Sequence, residues 1–137
     1  MRLVKAAAIV VIAYAAVVVA FESYLGVFQP KSGATIVITT KGADGSEQDR
    51  VVSPIRDGGR LYVSANHWPR SWYKRALQNP EVLVTSDGEK KPYLAVPVTG
   101  AEHDRLSVDH AHPIIFRILT GFPPRYFVRL DPRAQSQ

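Results

Sequence analysis

The sequence contains no cysteine in 137 residues. This absence excludes disulfide bonds, thiolate metal sites, iron–sulfur clusters and a cysteine nucleophile. Glycine and proline are modest at nine and ten residues, and 46% of the residues are apolar against 21% charged. Such a composition excludes collagen-like, low-complexity and disordered chains. The length is that of one small folded domain with a short additional segment.

Signatures of hydrolytic catalysis and of nucleic-acid binding are missing as well. Serine, histidine and aspartate all occur, but no G-x-S-x-G elbow or other ordering marks a catalytic triad. The net charge of +5 favours anionic partners such as phosphate groups or anionic lipid. However, the basic residues are scattered and form no known nucleic-acid module. We therefore assign no catalytic side chain and expect no nucleic-acid partner.

The amino-terminal segment is uninterruptedly apolar from Ala6 to Phe21, and Glu22 ends the run. Its helix would be about 24 Å long at about 1.5 Å per residue, close to the thickness of a bilayer core once flanking residues are added. We predict that residues 1–30 form a membrane anchor and connector. A cleaved secretory signal peptide and a buried core helix are the alternatives.

Basic residues precede the apolar run at Arg2 and Lys5. By the positive-inside rule they stay in the cytoplasm. The sequence thus predicts a single-pass membrane protein whose domain lies on the outer face, periplasmic or extracellular.

The remainder, residues 31–137, has the pattern of a mainly β domain. Six β-branched or alternating runs predict strands, namely Ala34–Thr40, Arg50–Arg56, Arg60–Ala65, Glu81–Ser86, Lys91–Thr99 and Arg125–Leu130. Asp57-Gly58-Gly59 and Asp87-Gly88 are hairpin signals. Short helices are predicted over Pro69–Asn79, Ala101–Val108 and Pro113–Leu119. Short, regularly spaced strands favour a small closed or nearly closed barrel of about six antiparallel strands.

Four stretches in this order resemble the deazaflavin (coenzyme F-420)-dependent nitroreductase and quinone reductase family. They are TTKG from Thr39, RDGGRLYVSAN from Arg56, PRSWYKRALQNPEV from Pro69 and FVRLDP from Phe127. The most specific piece is the W-Y-x-x-x-L-x-N-P-x-V pattern that begins at Trp72. The resemblance implies the split β-barrel fold of flavin-binding proteins and an oxidoreductase activity.

The resemblance also implies where a cofactor would bind. Its contacts would come from the first two strands, from the strand end before the helix and from the helix start: Thr39, Thr40, Lys41, Arg50, Ser64, Ala65, Asn66, Ser71, Trp72, Tyr73 and Lys74. Ser64, Asn66 and Tyr73 would orient the ring. Lys74 and Arg50 would neutralise phosphate.

One stretch departs from the family pattern. The family follows TTxG with a basic tract, whereas here Asp44, Glu47 and Asp49 introduce three acids into a longer loop. A polyanionic tail would meet like charge there. The deazaflavin coenzyme F-420, FMN, another flavin or tetrapyrrole-like ligand, and the absence of any cofactor therefore all stay open.

The substrate pocket is predicted from aromatic and imidazole side chains near the ring. His67 and Trp68 follow the strand end, and Phe122 and Tyr126 belong to a rigid turn before the last strand. Packing or helix capping accounts for these residues equally well. Asp109-His110-Ala111-His112 invites a metal or haem interpretation, but no third ligand is placed by a motif, so no metal site is assigned.

The sequence thus predicts a membrane-anchored oxidoreductase that binds a deazaflavin or flavin and transfers hydride to a quinone-like or nitroaromatic acceptor. Its expected partners are membrane lipid and that lipophilic acceptor, with a homodimer as a further possibility. The alternative is a non-catalytic, membrane-tethered split-barrel module that binds lipid, haem or a protein. The acidic loop favours the alternative, and the Trp72-Tyr73-Lys74 patch favours the enzyme.

Overall fold

Seven strands form one antiparallel sheet in a computed structural model that describes residues 1–27, 34–66 and 70–134. The strands are β1 (Ile36–Lys41), β2 (Glu47–Val52), β3 (Ile55–Asp57), β4 (Arg60–Ala65), β5 (Glu81–Ser86), β6 (Glu89–Pro97) and β7 (Tyr126–Pro132). They lie in the order β2-β1-β5-β6-β7-β4-β3. The sheet curls into a half-barrel, which confirms the predicted split-barrel fold with short helices.

The predicted hairpins form where the sequence places residues that tolerate a positive φ. Gly58 and Gly59 have φ of 55° and 74°, and β3 pairs with β4 across them. Asp87 and Gly88 have φ of 51° and 80° between β5 and β6. Because these turns match the twist of the flanking strands, they set the register of each pair.

The predicted run Arg50–Arg56 is two strands rather than one. Its first part belongs to β2, which pairs with β1, and its second part is β3, which pairs with β4 at the opposite edge of the sheet. Pro54 lies between them and has no N–H to continue the ladder. The sheet consequently has seven strands instead of about six and does not follow a simple meander.

In the described part of the chain, four helices accompany the sheet: α1 (Arg2–Val27), α2 (Ser71–Gln78), α3 (Gly100–Asp109) and α4 (Ile114–Leu119). α2 packs against β1 and β6 and buries Trp72 and Ala76. α3 covers the other face of the sheet, where Leu106 packs with Tyr62 and Phe127. Because side chains alternate along β4 and β7, these strands contribute to two hydrophobic clusters, one under α2 and one under α3.

α1 is long and apolar enough to cross a bilayer: its candidate span is Arg2–Leu25, within which an 18-residue window has a mean hydropathy of 2.5. Its residues are almost entirely exposed. Among the described residues, the packing of α1 is with α4 and the turn that follows α4. The Phe21 and Phe116 rings lie 5.9 Å apart, and the Tyr14 hydroxyl donates to the Ile118 carbonyl at 2.8 Å.

Candidate functional site

Arg125 organises the region where β4 ends and β7 begins. Its Nε donates to Asn66 Oδ1 at 3.1 Å, its Nη1 donates to the His110 carbonyl at 2.5 Å, and its guanidinium lies 4.8 Å from the Phe127 ring centroid. Burial lowers the pKa of the Arg125 guanidinium. No carboxylate in the described part of the chain forms an ion pair with it. A partly buried cation without a counter-charge is suited to an anionic or strongly polar ligand.

Three histidines surround this arginine. His103 Nε2 donates to the Arg125 carbonyl at 2.9 Å, and His110 Nε2 donates to Asp57 Oδ2 at 3.1 Å. The hydrogen bond from His110, followed by that from Arg105, lowers the pKa of Asp57. No three histidine or acidic side chains in residues 1–27, 34–66 and 70–134 are grouped as metal ligands. Through these bonds, His103 and His110 join α3 and its carboxyl end to Arg125 and to β3.

His112 is held in one protonation state by its neighbour. Asn66 Oδ1 accepts from Arg125, so Asn66 Nδ2 is the group that faces His112 Nε2, at 3.0 Å. Nε2 must then accept, which leaves the ring proton on Nδ1. Burial and then the charge of Arg125 lower the pKa of His112, in agreement with a neutral ring.

A pocket of about 240 Å³ opens beside this network, between the end of β4 and the α3–α4 segment. It is lined by Asn66, Ser107, Ala111, His112, Phe116, Arg117, Thr120, Phe122, Pro123 and Arg125. Asn66, His112 and Arg125 are joined by hydrogen bonds in its lining, and Phe116 and Phe122 supply apolar surface. The volume is below that of typical sites for drug-sized ligands, about 300–1,000 Å³, so a single-ring head group fits it better than a tricyclic cofactor.

An aromatic surface lies next to the pocket, at the start of α2. The Tyr73 and Tyr126 rings stack with centroids 5.2 Å apart, and the Trp72 ring meets Tyr73 edge-on at 6.1 Å. Burial, followed by the nearby Tyr126, raises the pKa of Tyr73. A flat conjugated ring can pack on such a surface.

Arg70 precedes α2 and has an incomplete set of partners. Its Nη2 donates to the Pro124 carbonyl at 3.2 Å, and its guanidinium lies 5.2 Å from the Tyr126 centroid. Its Nε is buried without a hydrogen-bond partner among the described residues. Its backbone is left-handed, with φ of 55°. A strained arginine with an unsatisfied donor at a helix start is suited to hold an anion.

The predicted cofactor contacts on β1 and β2 do not line the pocket, and several of their side chains bind other side chains of the protein. Thr39 Oγ1 donates to Asp49 Oδ1 at 2.5 Å, and Thr40 Oγ1 accepts from Arg75 Nε at 3.2 Å. Both threonines are buried. The exposed Lys41 lies 3.8 Å from a Glu47 carboxylate oxygen, and Arg50 lies on β2 opposite Ile38.

The structure therefore divides the predicted site residues into groups. Ser64, Asn66, Tyr73, Phe122 and Tyr126 lie around Arg125, Arg70 and the pocket. Ala65 and Trp72 are buried in the hydrophobic core, and Ser71 and Lys74 are exposed on α2. His67 and Trp68 lie outside the described residues.

Sequence reasoning missed Arg125 as the centre of the site and His112 as a lining residue. Arg125 is one of 17 lysines and arginines. Its position after Pro123-Pro124 and directly before a strand is the one local signal that could have singled it out. The contacts that matter join it to residues about sixty positions earlier, and no spacing rule connects them.

These residues fit the ring and phosphate of a deazaflavin better than its acidic tail. The stacked tyrosines suit the ring, and the unsatisfied Nε of Arg70 suits phosphate. The β1–β2 hairpin carries several carboxylates, and hydrogen bonds from Ser46 lower the pKa of Asp44. A tail with several carboxylates would therefore follow a path away from that hairpin.

Comparisons with known proteins concern the family and the fold of the chain. The model of the F420H(2)-dependent quinone reductase family matches residues 14–112. A solved structure described as a domain-swapped dimer is 22% identical with a TM-score of 0.58, over 77% of this chain and 85% of that chain. HutZ, the heme storage protein from Vibrio cholerae, is 14% identical with a TM-score of 0.53, over the same shares. A protein described as an F420 reductase is 17% identical with a TM-score of 0.50, over 74% of this chain and 87% of that chain.

At these identities the solved structures establish the split-barrel fold alone. No protein with a curated description is similar enough in sequence to count as a relative. The family match, in contrast, covers most of the chain, from within α1 to the pocket residue His112. The chain belongs to the F420H(2)-dependent quinone reductase family and is an oxidoreductase.

Proposed function

We propose that this protein reduces a membrane quinone at the expense of a reduced deazaflavin, with the quinone head group in the pocket beside Arg125. The observation that carries the proposal is the partly buried Arg125, which forms no ion pair with a carboxylate of the described residues and lines a pocket of single-ring size. The family match favours the deazaflavin over FMN. The reduced deazaflavin, when bound, supplies a hydride.

The residues of the chain supply position and charge. Tyr73 and Tyr126 would support the cofactor ring, and Arg70 would bind its phosphate. Arg125 would donate to an acceptor oxygen and stabilise the negative charge that develops there when hydride arrives. His112 holds its proton on Nδ1, and its burial beside Arg125 keeps the ring neutral in this setting. Phe116 and Phe122 would exclude water from the acceptor.

The apolar helix α1 supports a membrane location, since it is long enough to span a bilayer and lies beside the pocket residue Phe116. Quinones with long isoprenoid tails partition into lipid, so an anchored reductase would meet its acceptor at the surface of the bilayer. Attachment on the outer face and assembly as a homodimer stay predictions from the sequence.

The test is deazaflavin oxidation by a quinone, catalysed by the full chain in lipid nanodiscs. Arg125→Gln should lower kcat/KM for the quinone by on the order of 100-fold, because a donor to the developing oxyanion is lost. Cofactor binding, followed by its fluorescence, should change little in the same variant. An unchanged kcat/KM would contradict the assignment of Arg125.

Arg129→Gln is the matched control, since it changes an arginine on β7, the strand that directly follows Arg125. Arg129 pairs with Asp131 at 2.8 Å and does not line the pocket. Its substitution should leave kcat/KM for the quinone within a few-fold of the wild-type value. A wild-type protein without activity toward any quinone would instead favour the non-catalytic module.

A further inference from the structure

The apolar side chains of α4 and its following turn face outward rather than into the protein. Ile114 and Ile115 are 62% and 66% exposed, and Ile118 and Phe122 are 42% and 51% exposed. Among its residues, none is fully buried. A contiguous apolar surface of this kind on a short helix marks an interaction site.

The position of α4 beside α1 indicates what covers this surface. The contacts come from Tyr14, Val18 and Phe21, which lie on one face of α1 at helical spacing. A Cβ built on Gly121 would come within 3.0 Å of Val18, so this glycine allows the close approach. We propose that the apolar face of α4 inserts into the same lipid leaflet as the carboxyl-terminal half of α1.

The depth of the contacts agrees with an interfacial position. From Tyr14 to Phe21 the helix rises about 10 Å, at about 1.5 Å per residue. Phe21 is the last residue of the apolar run, and Glu22 is the first charged residue after it. α4 would therefore lie within the outer ~10 Å of the hydrocarbon, which is the depth that interfacial helices reach.

The carbonyls of Phe116, Arg117 and Ile118, at the end of α4, have hydrogen-bond partners within the protein. Thr120 Oγ1 donates to the Phe116 carbonyl at 2.8 Å and to the Arg117 carbonyl at 3.3 Å. The Tyr14 hydroxyl donates to the Ile118 carbonyl at 2.8 Å. A helix end in water needs no such partners, whereas in lipid each unsatisfied carbonyl is costly.

Arg117 is compatible with this position because it can reach the headgroups. Its guanidinium is exposed and lies 5.3 Å from the Phe122 ring centroid. A long basic side chain at the interface extends to lipid phosphates and favours anionic lipid. The pocket mouth, formed in part by Phe116 and Phe122, would then open toward lipid.

The inference rests on the membrane attachment in the proposed function, so the test reports on both helices. The native chain has no cysteine, and single substitutions Ile115→Cys, Ile12→Cys and Val108→Cys give unique sites for the environment-sensitive dye NBD. The full chain is reconstituted in phosphatidylcholine–phosphatidylglycerol vesicles. Val108 on α3 is 76% exposed and serves as the aqueous control.

We expect dye at positions 115 and 12 to emit at shorter wavelength than dye at position 108. Nitroxide-labelled lipid should quench the first two, and aqueous iodide should quench the third. If position 12 is quenched by lipid and position 115 behaves like position 108, the α4 proposal is wrong and the anchor stands. If neither position reaches lipid, both the proposal and the anchor fail. Protection of position 115 from both quenchers would overturn the proposal in favour of a second copy, which thiol cross-linking at position 115 would reveal.

Discussion

At the residue scale, the site depends on which protons and charges the polar groups carry. Asn66 joins Arg125 to His112. Its amide oxygen accepts a hydrogen bond from Arg125, and its amide nitrogen donates one to His112. Protonation of His112 would remove that acceptor and place a second positive charge near Arg125. The network therefore works with a neutral imidazole.

This dependence predicts a loss of stability in acid. The pKa of His112 is lowered from 6.5 in the folded protein, so the unfolded chain binds the extra proton more readily. The contribution of neutral His112 is complete above pH 6.5 and is lost as the pH falls toward the folded pKa. His112→Gln should accordingly reduce the fall in unfolding temperature between about pH 8 and about pH 5. Thermal scans in detergent with equal pH slopes for both proteins would contradict this.

At the element scale, α3 holds the loop that carries His110 and His112. Leu106 is the buried residue of α3 and packs with Tyr62, Val98 and Phe127. The Tyr62 hydroxyl also donates to Glu102 Oε1 at 2.6 Å, which ties the helix to β4. The position of the pocket wall thus depends on the packing of Leu106 and on polar contacts of α3, which include the bond from Tyr62 and the ion pair of Arg105 with Asp57.

Leu106→Ala should lower the free energy of unfolding by about 2–5 kcal/mol, because it leaves a cavity under α3. It should also raise KM for the quinone more than KM for the deazaflavin, since the pocket wall loosens. Val108→Ala, on the exposed side of the same helix, should stay within about 0.5 kcal/mol of the wild type. Denaturant titration and steady-state kinetics measure both effects. Equal effects of the two substitutions would show that α3 is not held by Leu106.

At the scale of the whole molecule, α1, α4 and the pocket form one continuous arrangement. α1 contacts α4, and α4 contributes Phe116 and Arg117 to the pocket. A lipid-soluble acceptor could therefore pass from the bilayer to the pocket without crossing water. A water-soluble acceptor would not need this path.

The comparison of two quinones tests this arrangement. Ile115→Ser changes an exposed residue of α4 that does not line the pocket. We expect it to lower kcat/KM for a long-tailed quinone in nanodiscs several-fold and to leave kcat/KM for a short-chain soluble quinone unchanged. The same substitution at Leu77, which is exposed on α2, is the matched control and should affect neither quinone. If Ile115→Ser changes kcat/KM by the same factor for both quinones, relative to the wild type, the result would argue against entry from lipid.

The sequence by itself determined the features that depend on local chemistry. The apolar run predicted α1, and turn residues such as Gly58 and Gly88 predicted the hairpins, because positive φ is a local property. Strands β4 and β5 have the predicted bounds. The W-Y-x-x-x-L-x-N-P-x-V pattern was the most specific indication of the family, because it combines several residue types at fixed spacings.

Only the tertiary structure decided which distant residues meet. The assignment of β2 and β3 to opposite edges, the approach of Arg125 to Asn66 and the position of α4 beside α1 all join residues far apart in sequence. Such contacts depend on how the whole sheet curls and on which charges remain unpaired after packing. No periodicity in one segment contains that information, which is why the centre of the site was found in the structure.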